Sequence, residues 1–149
     1  MKRKNSIFIL LVSLCLISAT YAEERIDPKD ELQKFQGTWE YIYSESEGQE
    51  MVQESQPNTI TFQEDKFTVN RQAEVIQAGT QRLYANITPK GVDSIIDQGE
   101  GSPSILLGIY EFKDDSLIVC FAKEGRERPK EFKTWSDSGY FKSILTRKK

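Results

Sequence analysis

The sequence predicts a single all-β domain of about eight short antiparallel strands, preceded by one short helix. Three observations support this fold class. Residues 28–35 have an amphipathic helical pattern, the segments after Gly37 alternate apolar and polar residues, and turn signals recur about every 8–12 residues. Such spacing is typical of a β-sandwich or a β-barrel.

The first 22 residues have the layout of a secretory signal peptide. Residues 2–4 are basic, residues 7–17 are mostly apolar, and small residues precede a plausible cleavage point after Ala22. The apolar run is shorter than the roughly 20 residues of a membrane span. We therefore expect a domain at 23–149 that is secreted or periplasmic, the alternative being a retained amphipathic anchor.

Composition excludes several classes of function. Loss of the leader removes three basic residues and no acidic ones, which changes the net charge from −3 to −6 and argues against a nucleic-acid partner. The chain has no histidine, which excludes a Ser-His-Asp triad and histidine-ligated zinc. We expect a monomeric non-enzyme with no cofactor, no metal and no stable membrane span after cleavage.

Three acidic residues between positions 93 and 100 are only a weak indication of a calcium site. Asp93, Asp97 and Glu100 lack the spacing of an EF-hand loop. A solvated strand edge explains them better. Of the two cysteines, Cys15 leaves with the leader, so Cys120 has no disulfide partner within the domain and is expected to be a small buried hydrophobe.

The predicted helix has a defined start and one apolar face. Asp27 is a suitable N-cap, and Pro28 suits the first helical position because its missing N–H is not needed there. Leu32 and Phe35 are three residues apart and so share a face. This face is expected to pack against the domain.

The first strand follows directly at Gly37, whose backbone freedom permits a sharp turn out of the helix. Trp39, Tyr41 and Tyr43 alternate with polar residues and are expected to point inward together. They either line a ligand cavity or fill the core, since barrels of about eight strands are filled by side chains or hold one small ligand.

Seven further strands are predicted at 58–63, 66–71, 81–88, 92–97, 104–112, 116–122 and 140–147. The segment 104–112 is apolar on both faces, so both faces should be covered. Between the last two strands lies a polar loop that contains Arg126 and Arg128. This loop is either solvated or the contact site for an anionic ligand or a protein partner.

The short helix followed by Gly37-x-Trp39 resembles the start of a lipocalin or a related calycin barrel. Four segments resemble an uncharacterised bacterial lipocalin-like domain family best known from planctomycetes. They are Leu32-Gln33-x-x-Gln36-Gly37-Thr38-Trp39, Thr61-Phe62-x-x-Asp65-Lys66-Phe67, Leu107-Gly108-Ile109-Tyr110-Glu111 and Arg128-Pro129-x-Glu131-Phe132. The resemblance implies an eight-stranded antiparallel lipocalin-like barrel with a capping helix. It also implies that a basic residue near the end of the last strand lies across the Trp39 ring and helps to close the barrel. Arg147 is the candidate, with Lys148 or Lys149 as alternatives.

The family carries no established activity, so two hypotheses remain. The first is an exported non-catalytic barrel that binds a small apolar ligand, with a cavity lined by Tyr41, Tyr43, Phe62, Phe67 and Tyr110. The second is a filled barrel that serves protein interaction or envelope stress, with Arg126 and Arg128 as contact residues. An internal void above roughly 300 Å³ favours the first hypothesis, and a packed interior favours the second.

Overall fold

The computed structural model describes residues 27–52 and 56–149, and it confirms the all-β fold class. The predicted leader at 1–22 lies outside the described residues. Within those residues the elements are α1 (Pro28–Phe35), β1 (Gly37–Ser46), β2 (Gln49–Glu50), β3 (Thr59–Gln63), β4 (Lys66–Arg71), β5 (Glu74–Tyr84), β6 (Gly91–Gly99), β7 (Ser104–Lys113), β8 (Ser116–Ala122) and β9 (Tyr140–Arg147).

The strands form a closed eight-stranded antiparallel barrel. From β3 to β9 each strand pairs with its sequence neighbour, β3 pairs with β1, and β1 pairs with β9 to close the sheet. The two-residue strand β2 is an addition to the end of β1. The strand spacing was compatible with either a sandwich or a barrel, and closure of the sheet shows that the fold is a barrel. Closure also removes the exposed sheet edges.

Strand β5 lies earlier in the chain than the sequence indicates. It begins at Glu74 and ends at Tyr84, so the predicted strand at 81–88 is wrong at both ends, and residues 85–88 are turn and bend. A tight turn at Gln72, where φ is +56°, brings the chain back so that β5 pairs along the length of β4. Hydrogen bonding to β4 outweighs the weak apolar alternation of residues 74–80.

A β-bulge in β1 reverses the orientation of Tyr43. Tyr41 pairs with Leu145, whereas Tyr43 pairs with Ile144, so β1 advances two residues while β9 advances one. The extra residue is Ile42, which is 50% exposed. Because side chains alternate between faces along a strand, Tyr43 turns to the outer face. The prediction that Tyr43 points inward with Trp39 and Tyr41 is therefore wrong.

On the outer face Tyr43 belongs to a polar cluster. Its hydroxyl donates a hydrogen bond to Glu45 Oε2 at 2.5 Å, and Lys142 Nζ lies 5.7 Å from its ring centroid. The hydrogen bond to Glu45, followed by burial, raises the pKa of Tyr43 to about 12. Lys142 Nζ also lies 3.1 Å from Glu45 Oε1. Tyr43 therefore helps to hold β1 to β9 from outside the barrel.

Aromatic rings fill the end of the barrel that α1 covers, here called the closed end. The Phe35 ring centroid lies 5.3 Å from that of Phe62 and 5.0 Å from those of Tyr110 and Phe112, all in edge-to-face geometry. Trp39 Nε1 donates to the Phe35 carbonyl oxygen at 2.6 Å, which satisfies the one polar group of a buried indole. The helix therefore contributes directly to the core.

Arg147, the last residue of β9, covers the closed end. Its guanidinium carbon lies 4.3 Å from the Trp39 ring centroid, and its Nη2 donates to the Lys34 carbonyl oxygen at 3.0 Å while Nη1 donates to that of Gln36. Gly37 has a φ of +101°, and a Cβ there would lie 3.3 Å from Arg147 Nη1. Glycine therefore permits both the turn into β1 and the close approach of the guanidinium.

Glu31 is the buried ionic group of the closed end. Its side chain is 0% exposed and accepts hydrogen bonds from Lys34 Nζ at 2.5 Å, Lys90 Nζ at 2.9 Å and the Tyr110 hydroxyl at 2.8 Å. Burial alone raises the pKa of Glu31, but these three partners outweigh burial and lower it to about 2. The carboxylate thus holds α1 to the barrel in ionised form.

A second apolar cluster lies outside the barrel, beneath the loop at 123–139. Ile109, Cys120 and Pro129 are almost completely buried there, and Cys120 Sγ lies 4.0 Å from the Lys133 carbonyl oxygen. Burial raises the pKa of Cys120 to about 11, so the thiol stays protonated near neutral pH. The loop covers the outer face of 104–112 at Ile109, but Ile105 on the same face is 53% exposed, so the prediction that both faces are covered is correct only in part.

Acidification should weaken the fold through Glu31. Because the folded-state pKa is lowered to about 2 from 4.5, this contribution is fully present above pH 4.5 and is lost as pH falls from there towards 2. We expect a loss of about 2–3 kcal/mol in unfolding free energy over this range. Urea titrations at several pH values would measure it.

Two variants serve as controls for the acid effect. Glu31→Gln should be less stable at pH 7 and should lose this part of the pH dependence, whereas Glu124→Gln, in the exposed loop, should keep it. Equal pH dependence in Glu31→Gln and wild type would contradict the role given to Glu31.

Replacement of Arg147 by leucine should destabilise the closed end. The variant loses a cation–π contact and two charged hydrogen bonds, so we expect about 1–3 kcal/mol less unfolding free energy. Trp39 emission in a Trp135→Phe background would report unfolding from a single indole. The exposed Lys149→Leu is the matched control, and an Arg147 variant as stable as this control would refute the stacking role.

Candidate functional site

The end of the barrel opposite α1 carries a large pocket, here called the mouth pocket. Its volume is about 490 Å³, and the described residues of its walls come from β1, β4, β5, β9, residues 51–52 and 56–58, and Glu100. Arg71 and Glu100 form an ion pair of 3.2 Å at its edge. The volume lies within the 300–1,000 Å³ that is usual for small-molecule sites.

A second and smaller space, here called the inner cavity, lies inside the barrel. Its volume is about 90 Å³, and it is lined mainly by aliphatic and aromatic side chains. Side chains fill most of the interior: for example, Gly108 leaves room for the Phe121 ring, which would lie 2.4 Å from a Cβ at that position. The inner cavity is below the roughly 300 Å³ expected of a ligand that is wholly enclosed.

The mouth pocket and the inner cavity adjoin each other. Tyr41, Val69, Gln77 and Phe141 line both of them. The two spaces are therefore neighbours that share part of their walls. The charged residues that line the mouth pocket are Glu45, Arg71 and Glu100, whereas the described residues that line the inner cavity carry no formal charge.

Tyr41 stands at the junction of the two spaces. Burial raises the pKa of Tyr41 to about 12, so its hydroxyl remains protonated at physiological pH. A protonated phenol both donates and accepts hydrogen bonds. Tyr41 can therefore contact either a polar or an aromatic part of a molecule that passes from the mouth pocket towards the interior.

Gln81 is the polar residue deepest in the apolar lining. It is only 7% exposed, and its Nε2 has no hydrogen-bond partner among the described residues. Ser94 lies directly opposite it in the β5–β6 register, and both residues line the inner cavity. Buried side-chain donors are usually satisfied, so this amide is an exception.

The five residues predicted to line a cavity fall into three groups. Tyr41, Phe62 and Phe67 do line the inner cavity. Tyr110 is buried at the closed end with its hydroxyl on Glu31, and it does not border either pocket. Tyr43 lies outside the barrel.

Arg128 is an internal contact of the fold and not a free group. Its Nη1 donates to the carbonyl oxygens of Gly108 at 2.6 Å and Val92 at 3.1 Å, and its Nη2 donates to Asp93 Oδ1 at 2.6 Å. Tyr84 lies beneath the guanidinium at 5.1 Å and donates to Asp93 Oδ2 at 2.8 Å. The prediction that Arg128 faces solvent or a partner is therefore corrected.

The prediction for Asp93 changes for the same reason, whereas the prediction for Arg126 does not. Asp93 is buried beneath the loop and paired with Arg128, so it is not part of a solvated strand edge. Arg126 is exposed, and its aliphatic part packs over Gly139. Of the two predicted loop residues, Arg126 is exposed, whereas the Arg128 side chain is only 25% exposed.

Gln77, Gln81 and Phe141 are site residues that the sequence did not single out. A signal existed for Gln81, because it lies two residues before Leu83 in a predicted strand and so shares the face of that apolar side chain. Gln77 lay in a segment that was not predicted as strand. Phe141 was predicted within a strand, but which pocket it borders depends on closure of β9 onto β1.

Comparison of the chain with protein-family profiles, curated proteins and solved structures gives no significant match. Within residues 27–52 and 56–149, no helix has both the length and the apolar character required to cross a membrane. In the same residues, no group of three or more His, Cys, Asp or Glu side chains has a geometry that could hold a metal ion.

Replacement of Gln81 by leucine should stabilise the ligand-free protein. The variant removes a buried donor without a partner and keeps a side chain of similar size, so we expect about 1–2 kcal/mol more unfolding free energy. Urea unfolding would measure the change, with Gln98→Leu as the exposed control on the neighbouring strand. A loss of stability in Gln81→Leu would mean that the amide already has a partner.

Proposed function

We propose that this protein is an exported, non-catalytic lipocalin-like barrel that binds one small, mostly apolar ligand through its open end. The supporting observation is that the mouth pocket of about 490 Å³ adjoins the inner cavity of about 90 Å³. The larger space accepts the body of a ligand, and the smaller one accepts a slim end. The ligand is held in the mouth and is not enclosed within the barrel.

The distribution of polarity supports this mode of binding. Apolar surface in the inner cavity favours transfer of hydrocarbon groups from water, at about 25 cal/mol per Å². The charged groups at the edge of the mouth, Arg71 and Glu100, stay in contact with solvent. A ligand with an apolar end and a more polar opposite end matches this gradient.

The pattern of residues 1–22 supports export, and the absence of histidine supports a non-catalytic role. With export, the protein acts as a carrier or sensor of its ligand outside the cytoplasm. We propose that it does so as a monomer without a cofactor, metal or nucleic-acid partner.

Uptake of a lipophilic fluorophore would test the proposed function. We expect N-phenyl-1-naphthylamine to bind the purified protein at micromolar concentration, with a rise in its emission and a change in Trp39 emission in a Trp135→Phe background. Gln77 lines both spaces, so Gln77→Phe should narrow the passage and weaken binding about tenfold or more.

The control for this test is Gln98→Phe, which adds the same ring at an exposed position of β6. It should bind the fluorophore as wild type does. No uptake by wild type at micromolar concentration would refute the proposed function, and equal weakening in both variants would place the binding elsewhere.

The small volume of the inner cavity favours a second candidate function, a filled barrel that contacts another protein. Since Arg128 is held by Asp93, the exposed Arg126 is the loop residue that remains for such a contact. Capture of partners from the native source with wild type and Arg126→Glu would compare the candidates. Identical partners for both proteins would remove this role for the loop.

A further inference from the structure

Gln81 lines the inner cavity and carries a side-chain hydrogen-bond donor that no described residue uses. Its Nε2 is buried without a partner, and the residue is 7% exposed. The other glutamine of the lining differs, because Gln77 Nε2 donates to the Glu100 carbonyl oxygen at 2.8 Å. The unused donor is therefore a property of this one position in the cavity.

The surroundings of Gln81 define the kind of group that suits it. An amide N–H₂ needs an acceptor, such as a carbonyl oxygen. The described residues that line the inner cavity carry no charge, so a carboxylate there would be buried without a counter-ion at a high free-energy cost. A neutral acceptor has no such penalty.

The size of the inner cavity limits what can carry that acceptor. A water molecule in the liquid takes about 30 Å³, so about 90 Å³ admits roughly three groups of that size. This is enough for a terminal acyl or methyl-ketone end and too little for a ring system with substituents. The rest of the molecule must lie in the mouth pocket.

We infer that the ligand is a neutral carbonyl compound whose slim end enters the inner cavity and accepts a hydrogen bond from Gln81 Nε2. This inference rests on the proposed function, because it specifies the ligand class of the same site. Ketones, esters and amides with an apolar chain belong to this class. Fatty carboxylates in their anionic form do not.

Competition with N-phenyl-1-naphthylamine would test the inference with three probes of similar length. They are 2-octanone, 2-methyl-1-octene, which has no acceptor, and octanoate, which is an anionic acceptor. We expect the affinity ratio of 2-octanone to 2-methyl-1-octene to fall about three- to tenfold in Gln81→Leu relative to wild type. Gln98→Leu should leave this ratio unchanged.

Nuclear magnetic resonance supplies a second readout at the residue itself. The side-chain amide protons of Gln81 should move downfield when 2-octanone binds and should not do so with 2-methyl-1-octene. Gln81→Met provides an alternative apolar variant if the leucine variant does not fold, and retention of the strand circular dichroism spectrum would verify folding.

The possible results separate this inference from the proposed function. If the fluorophore binds but the ketone-to-alkene ratio is the same in Gln81→Leu and wild type, the inference is overturned and the proposed function stands. Tighter binding of octanoate than of 2-octanone would also overturn it. If wild type binds neither the fluorophore nor 2-octanone, both the function and the inference are rejected.

Discussion

The pairing of β1 with β9 is the constraint on which the rest of the structure depends. It joins the two ends of the sheet and leaves neither strand with an open edge. At one end of this pair Arg147 comes to lie over Trp39. At the other end, Phe141 is brought to the border of both the mouth pocket and the inner cavity.

The two ends of the barrel differ in how completely their polar groups are satisfied. At the closed end, the buried carboxylate of Glu31 accepts three hydrogen bonds, and the Trp39 indole N–H has its own acceptor. Elsewhere in the interior, Gln81 Nε2 is buried without a partner among the described residues. A buried charge is tolerated where it is fully paired, whereas this unpaired amide belongs to a residue that lines the inner cavity.

Prediction of which side chains face the interior succeeded where a strand ran without interruption and failed where the backbone changed direction. Phe62 and Phe67 lie on regular strands, so simple alternation placed them correctly on the interior face. Tyr43 follows a bulge that alternation cannot detect, because one extra residue reverses the face of those that follow. Arg128 has the composition of a solvated loop residue, and only the return of the loop over β6 and β7 gives it buried acceptors.

The sequence by itself determined the local structure: the helix at Pro28–Phe35 with its Asp27 cap, most of the strands, the glycine at the start of β1 and the burial of Cys120. These features follow from propensity and apolar period over a few residues. Tertiary structure decided the barrel closure, the start of β5, the partners of Glu31 and Arg128, and the amount of interior space that remains. Each of these depends on contacts between residues far apart in the chain, and no short-range pattern carries that information.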